Sequence, residues 1–438
     1  YLSWGLVGIF FSLCVYSWLI SVSLWGWISL FVIIGLLWAI PFWVWHKTRN
    51  RFVCAATWVT IDWARTLLGF GWLPVAVSGT GNRIVVNIAS VGGEALLGFI
   101  IVFVGFTIAK IIEEADAIKK IKLTKQFFIV VIIVALLGVG LNISLKKPSQ
   151  EIWIGLVQPD VPMDPRNAND YYRELQTLQS YTNAIKNDGA EIIFWPEQAT
   201  PWPVNDDKTM RGWMEDGTRF LKTPVVSGFL WHENGNYYNA AAVVSHKTGL
   251  DTNAYKKRRL VPFGEYIPLA QWNWLRSLTP IVDSFASGDE AVVLNVPIQY
   301  ARTIKLWPLI CYEDTFDYLA WGASQNADAM VVFLNNSWFG YGAGPQHAAH
   351  SVLRSVEQGI PVIRIGNSGL SGFILPNGEA NYMSDEGDFQ KAQSAVMRLP
   401  MARRDTLYSH TAPYWRVGFL LMALSGIFIW RKSKKTQQ

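Results

Sequence analysis

From Tyr1 to Trp45 no residue is charged, and apolar side chains are so dense that neither a helical face nor a strand face stands out. A helix of that length, rising about 1.5 Å per residue, would reach roughly 65 Å, about two bilayer cores. A buried helix of a soluble fold has no use for such a run, so the pattern predicts a membrane protein. Spans are expected over roughly 2–21, 24–45, 52–72, 84–109, 126–145 and 414–430. Between the fifth and the sixth the pattern changes to that of a globular domain. "EIWIGLVQ" (151–158), "AEIIFWPE" (190–197), "RTIKLWPLICYE" (302–313), "DAMVVFLNN" (328–336) and "PVIRIGNSG" (361–369) read as apolar strands, with helical spacing at 171–186 and in "QHAAHSVLRSVEQG". "TPVVSGFLW" (223–231) and "NAAAVVSHKTG" (239–249) read as a hairpin. Such alternation predicts an α/β domain with well-buried sheets.

Composition sharpens this picture. Hydrophobic residues make up 51% of the chain and 22 residues are Trp, both high for a soluble protein. The net charge of +5 is modest, and the basic residues gather at the ends of apolar runs, which fits membrane topology rather than nucleic acid. The clusters 46–51 ("HKTRNR"), 119–122 ("KKIK") and 431–435 ("RKSKK") fall on one side of the expected spans. The positive-inside rule makes that side cytoplasmic, and the globular domain then faces away from the cytoplasm; Lys146 and Lys147 weigh the other way. No basic n-region precedes the first apolar run, so no signal peptide is expected.

Within the spans, Asp62 and Arg65 are spaced i,i+3 on one helix face, and Glu94 follows two glycines. Charges at membrane depth are costly and mark either function or an internal ion pair, and the sequence leaves both readings open. Cys14, Cys54 and Cys311 form neither a disulfide framework nor a metal spacing. His347 and His350 make an H-x-x-H with no further ligand type at metal spacing, so no metal or cofactor is expected.

Three apolar strands end at an ionisable residue followed by turn residues: Glu197, the lysine pair Lys256–Lys257, and Cys311. In open α/β layers, sites form where strand carboxyl ends converge. A carboxylate can take a thiol proton, a thiolate can attack a carbonyl, and an ammonium can stabilise the oxyanion. A helix beginning at Tyr312 would lower the thiol pKa. Cysteines at strand ends are also common as apolar filler, and spacing alone does not decide.

The segments "FWPE", "YKKRRLVPFGEYIP" and "PLICYE" occur in this order within a multi-span chain, together with "NNSWFG" (335–340), "GPQH" (344–347) and "RIGNSGLS" (364–371). They resemble the apolipoprotein N-acyltransferase family, a membrane-embedded branch of the nitrilase, or carbon-nitrogen hydrolase, superfamily. The resemblance runs from about Trp63 to the last span. It implies a nitrilase-like α-β-β-α sandwich (149–412) inserted between an N-terminal transmembrane bundle (1–148) and a C-terminal transmembrane helix with a basic tail (413–438). It implies a catalytic triad of Glu197, Lys257 and Cys311, with Glu265, Tyr312 and Glu313 as accessory active-site residues. Lys257 rather than Lys256 matches the family's Y-x-K-x-x-L-V-P-F-G-E, and Lys256, its strand neighbour, should face the other way. Trp338, Trp272 and Trp274 are candidates for substrate entry, in aromatic segments suited to a membrane interface.

The implied reaction moves an acyl chain from a phospholipid, through a thioester on Cys311 with ping-pong kinetics, to the α-amine of the diacylglyceryl-cysteine that begins a lipoprotein. The implied setting is the bacterial inner membrane, with the catalytic domain periplasmic and the protein a monomer. The alternatives are a membrane-anchored amidase using the same triad and a non-catalytic lipoprotein-binding scaffold. Asn335–Asn336 stands where the family usually has Asn-Asp, and Asn167 lies where many members carry a Trp. The family typically has eight spans against six counted, which implies that the first two are missing from this chain.

Overall fold

The computed structural model describes residues 2–145, 148, 150–161, 168–267, 284–338, 340–384 and 390–436. They form two compact units, one of residues 1–145, 356–359 and 404–438 and the other of 146–355 and 360–403.

The first unit is helical. Its N-terminal part comprises α1 (Leu2–Val15), α2 (Leu24–Thr48), α3 (Arg51–Leu67), α4 (Arg83–Val86), α5 (Ala89–Glu113) and α6 (Ala117–Ile143), and a C-terminal helix spans Leu407–Thr436. Among the described residues four helices are long and apolar enough to cross a membrane: Leu24–Thr48, Ala89–Glu113, Ala117–Ile143 and Leu407–Trp430. Six such spans were expected, and the other two are shorter than their apolar runs. α1 stops at Val15 and gives way to a 3-10 turn, Ser17–Ser21. α3 stops at Leu67 although the apolar run continues, because Gly69 takes a left-handed φ of 88° and turns the chain back.

That turn explains the buried charges. Arg65 donates to Asp62 at 2.6 Å and to the carbonyls of Trp72 and Leu73, and Asp62 accepts from the Val75 backbone at 3.0 Å. The pair therefore ties the returning chain to α3. In α5 the helix breaks at Gly92–Gly93, and the backbone N–H of Glu94 donates to Glu357 at 2.7 Å. The second half of α5 thus starts on a carboxylate that occupies one of its free amides.

The second unit is built on two sheets. The first has strand order β13-β1-β2-β3-β4-β5, with β6 also on β4; its strands are β1 (Glu151–Gln158), β2 (Ile192–Phe194), β3 (Val225–Glu233), β4 (Asn236–Ser245), β5 (Gly249–Leu250), β6 (Tyr255–Lys256) and β13 (Gln393–Pro400). The second runs β12-β11-β10-β9-β8-β7, with β7 (Leu294–Pro297), β8 (Thr303–Ile310), β9 (Ala329–Leu334), β10 (Val362–Gly366), β11 (Gly372–Ile374) and β12 (Ala380–Tyr382). Strands β1–β3 and β8–β10 are parallel, and in β9 all six side chains, Ala-Met-Val-Val-Phe-Leu, are buried. A strand covered on both faces needs such a continuous apolar run.

Helices α7 (Ala168–Ala184) and α8 (Lys208–Leu221) cover the first sheet, burying Leu178 and Met214 against Ile193 and Phe229. β1 touches β10, and β4 touches β7 and β8, so the sheets lie face to face. This is the α-β-β-α sandwich that the family resemblance implies. The β3–β4 hairpin turns on Asn234–Gly235, both at positive φ, the residues a two-residue turn of matching twist requires.

Candidate active site

Cys311 follows β8, Glu197 lies three residues beyond β2, and Lys257 follows β6, so three strand ends deliver the three chemical groups. All three side chains are buried, with Lys257 only 1% exposed. Cys311 has φ +52°, Gln198 after Glu197 has +48°, and Phe263 before Glu265 has +60°. A non-glycine residue held there costs roughly 1–3 kcal/mol, and such strain persists only where the surroundings enforce it. Gly228 of β3 makes one enforcement possible: a Cβ there would stand 2.6 Å from the Glu197 Cα.

Lys257 Nζ donates to Glu265 Oε1 at 2.9 Å and to Glu197 Oε1 at 3.4 Å. Asn239 Nδ2, from β4, bridges the same two oxygens at 2.7 and 2.9 Å. Glu265 also accepts from the Val261 backbone at 2.8 Å, which fixes the loop after Lys257. Lys256 faces the opposite way, pairing with Glu233 and lying 4.7 Å from the Tyr238 ring centre.

Electrostatics divide the roles. Burial pulls the Lys257 ammonium down, but Glu265 and Glu197 outweigh it and hold its pKa above the ordinary lysine value. Burial raises Glu197 above the ordinary carboxylate range against the pull of Lys257. Burial also pushes the Cys311 thiol well above its usual pKa; Glu197 and Glu265 push the same way, and Lys257 and an N–H donated by the Asn335 backbone only partly oppose them. A helix beginning at Tyr312 would have opposed this rise. Instead a five-residue 3-10 turn, Cys311–Thr315, follows the sulfur, too short to outweigh burial. Burial and the two carboxylates thus favour the protonated thiol over the thiolate.

Glu313 is fully buried and acts from behind. Its Oε1 accepts from the backbone of Arg258 at 2.7 Å and Arg259 at 3.0 Å, and its Oε2 from the Tyr255 hydroxyl and the Ile310 backbone. It joins the strand end that carries Lys257 to the one that carries Cys311. Tyr312 packs edge-on against Phe316, ring centres 5.0 Å apart. Trp338 ends a 3-10 turn, Asn336–Trp338; Trp272, Trp274 and Asn167 lie outside the described residues. Sequence reasoning missed Asn239, whose signal is an amide within the otherwise apolar "NAAAVVS". It also missed Asp314, which, fully buried, meets His347, Ser351 and Arg364.

Comparison with known proteins agrees with this architecture. Residues 154–395 match the family described as carbon-nitrogen hydrolase, and residues 1–107 match the apolipoprotein N-acyltransferase N-terminal domain. The chain is similar to an apolipoprotein N-acyltransferase of Synechocystis sp., at 27% identity over 95% of this chain and 82% of the relative. It is similar to one of Vibrio vulnificus at 26% identity, over 87% and 74%. Among solved structures, an amidase from Nesterenkonia sp. aligns with 60% of this chain and 94% of its own, at 16% identity and a TM-score of 0.42. With more than half of its length matched by the one family and much of the rest by the acyltransferase N-terminal domain, the chain belongs to the carbon-nitrogen hydrolase family, as a membrane-embedded apolipoprotein N-acyltransferase-type member.

Proposed function

We propose that the protein is an N-acyltransferase that takes an acyl chain from a phospholipid and delivers it to the α-amine of the diacylglyceryl-cysteine at a lipoprotein's N-terminus. The observation that carries this reading is the buried constellation of Glu197, Lys257, Glu265 and Asn239 beside a strained Cys311, in a chain whose other unit is made of apolar helices. Both substrates are held in the membrane by hydrocarbon tails, so a membrane-embedded enzyme meets them without extracting them.

In the proposed first half-reaction Glu197 takes the Cys311 proton as Sγ attacks the phospholipid ester carbonyl. The Lys257 ammonium offsets the charge that develops on the carbonyl oxygen. Collapse breaks the ester C–O bond, Glu197 returns the proton to the leaving alkoxide, and lysophospholipid departs from a Cys311 thioester. In the second half the lipoprotein amine attacks the thioester carbonyl, losing a proton to Glu197; the C–S bond breaks, and Glu197 returns that proton to the departing Cys311 sulfur. Asn239 and Lys257 both touch Glu197 and keep it aimed between the half-reactions.

The amidase alternative shares the first half and differs in letting water finish it, and a binding scaffold needs none of these groups. The match to the acyltransferase N-terminal domain and the names of the relatives favour acyl transfer over both. We place the protein, as a monomer, in the bacterial inner membrane. We assign residues 149–412 to a periplasmic catalytic domain between helices at 1–148 and 413–438, on the strength of the basic clusters at 46–51, 119–122 and 431–435.

The test is incubation with phospholipid alone, followed by intact-protein mass. A single acyl adduct, labile to hydroxylamine and absent from Cys311→Ala, is the expected result. Discharge onto an added diacylated lipopeptide should follow. Steady release of fatty acid without an adduct would instead favour hydrolysis.

A further inference from the structure

Behind the nucleophile lies a polar cluster that the reaction above does not use. Asp314, in the turn Cys311–Thr315, is fully buried, and so are His347, Ser351 and Arg364. His347 and Ser351 sit one turn apart on the helix Gly340–Gln358 and so share a face, and Arg364 comes from β10. Asp314 Oδ1 lies 2.9 Å from His347 Nε2, and Oδ2 accepts from Ser351 Oγ at 2.5 Å and Arg364 Nη1 at 3.1 Å. His347 Nδ1 is 3.0 Å from the Asn336 side-chain oxygen.

A further contact gives the cluster a direction. His347 Nε2 is also 3.2 Å from the backbone carbonyl oxygen of Cys311. Both neighbours of Nε2 are acceptors, so this nitrogen carries the hydrogen and shares it between the carboxylate and the nucleophile's own carbonyl. Although burial favours the neutral acid, His347 and Arg364 hold Asp314 well below the usual carboxylate range, so the carboxylate stays charged and keeps the imidazole in place. Cys311 has the left-handed backbone that a non-glycine residue leaves unless it is held. Glu313 holds the amide before it, at Ile310, and His347 holds the carbonyl after it. Because the peptide is planar and trans, fixing that carbonyl also fixes the direction of the Tyr312 N–H.

We propose that His347, oriented by Asp314, is a positioning residue for the acylation step: it clamps the Cys311 carbonyl and thereby sets the aim of both the sulfur and the peptide that follows it. The proposal rests on Cys311 being the nucleophile. It predicts a loss in the rate of the chemical step rather than in phospholipid binding, because His347 touches only the backbone of the attacking residue.

The experiment uses the full chain in detergent with dioleoylphosphatidylethanolamine as donor, and follows acyl-Cys311 by intact-protein mass at several donor concentrations, per folded protein. His347→Ala should lower the saturating acylation rate about 10- to 100-fold, the scale of a small misplacement, with the half-saturating concentration within about twofold. His347→Gln, whose amide retains a donor, should recover part of the rate. Ser351→Ala removes a donor from Asp314 without touching the Cys311 carbonyl, and should stay within about threefold of wild type. A wild-type rate in His347→Ala, or an equal loss in Ser351→Ala, overturns the proposal. If His347→Ala does not fold, the comparison of His347→Gln with Ser351→Ala decides, and equal rates overturn it. A wild type that forms no adduct removes Cys311 as nucleophile, and the clamp with it.

Discussion

Lys256 and Lys257 share a chemistry and differ in where they point. One meets Glu233 over an aromatic ring, and the other sits between two buried carboxylates. Lys257→Ala should therefore cut turnover by about a hundredfold or more, the scale of a lost oxyanion donor, while Lys256→Ala changes it by less than about twofold; steady-state transfer to a lipopeptide reads both. Glu197 yields a pH prediction. Its folded pKa is raised, and only the ionised form accepts the thiol proton, so acylation should fall with decreasing pH along a limb lying above the ordinary glutamate value of about 4.3. Asn239 donates to the ionised form and lowers that pKa. Asn239→Ala should move the limb to higher pH in a pH–rate profile of adduct formation, and a limb that stays put or moves down would remove Asn239 from this role. Glu197 and Cys311 stand out in the sequence because each follows an apolar strand, but their joint role, and the choice of Lys257 over Lys256, is legible only through the family motifs that the chain resembles. Asn239 and the Asp314–His347 pair are not, since nothing along the chain tells which strand position faces across to which other.

Elements are most readable where a local rule sets them. The β3–β4 hairpin follows from two apolar runs joined by an Asn-Gly turn, and β9 from an unbroken apolar run. Helix ends within apolar sequence are hard to read by hydropathy: α3 ends just before Gly69, a turn residue inside an apolar run, and Arg65 holds the turn by gathering the carbonyls of Trp72 and Leu73. The break in α5 is a middle case. Gly92–Gly93 hints at it, but only the structure shows that Gly93 has φ +67° and that a Cβ there would stand 2.3 Å from the Tyr408 ring. Gly93→Ala combines backbone strain with overpacking and should destabilise the protein by roughly 2–5 kcal/mol. Thermal unfolding in detergent should show a clear drop in Tm, and an unchanged Tm would mean that the helix runs straight through.

Across the whole molecule the two units obey different solvents. The helical unit exposes Leu6, Phe10, Ile112, Ile118 and Leu136, side chains that a bilayer covers, whereas the sheet unit buries its apolar residues in its own core. The proposed direction of insertion rests on charge. With basic clusters at the ends of the helices, a reporter fused at Lys222, an exposed residue in the sheet unit, should be active only outside the cytoplasm. A periplasm-specific reporter such as a secreted phosphatase checks this, and activity of a cytoplasm-only reporter at the same site would reverse the orientation.

The proton held on Cys311 has a consequence for the enzyme's durability. Peroxides and disulfide exchange act on thiolates, and burial together with Glu197 keeps this sulfur out of that form at rest. If the sheet unit faces an oxidising compartment, as we propose, where a lone reactive cysteine is soon lost to sulfenic acid or mixed disulfides, the raised pKa would protect Cys311. In the proposed reaction it becomes reactive only when an ester carbonyl is present for the sulfur to attack as Glu197 takes the proton. The same charges that make the catalyst need a base thus let it persist between encounters with substrate.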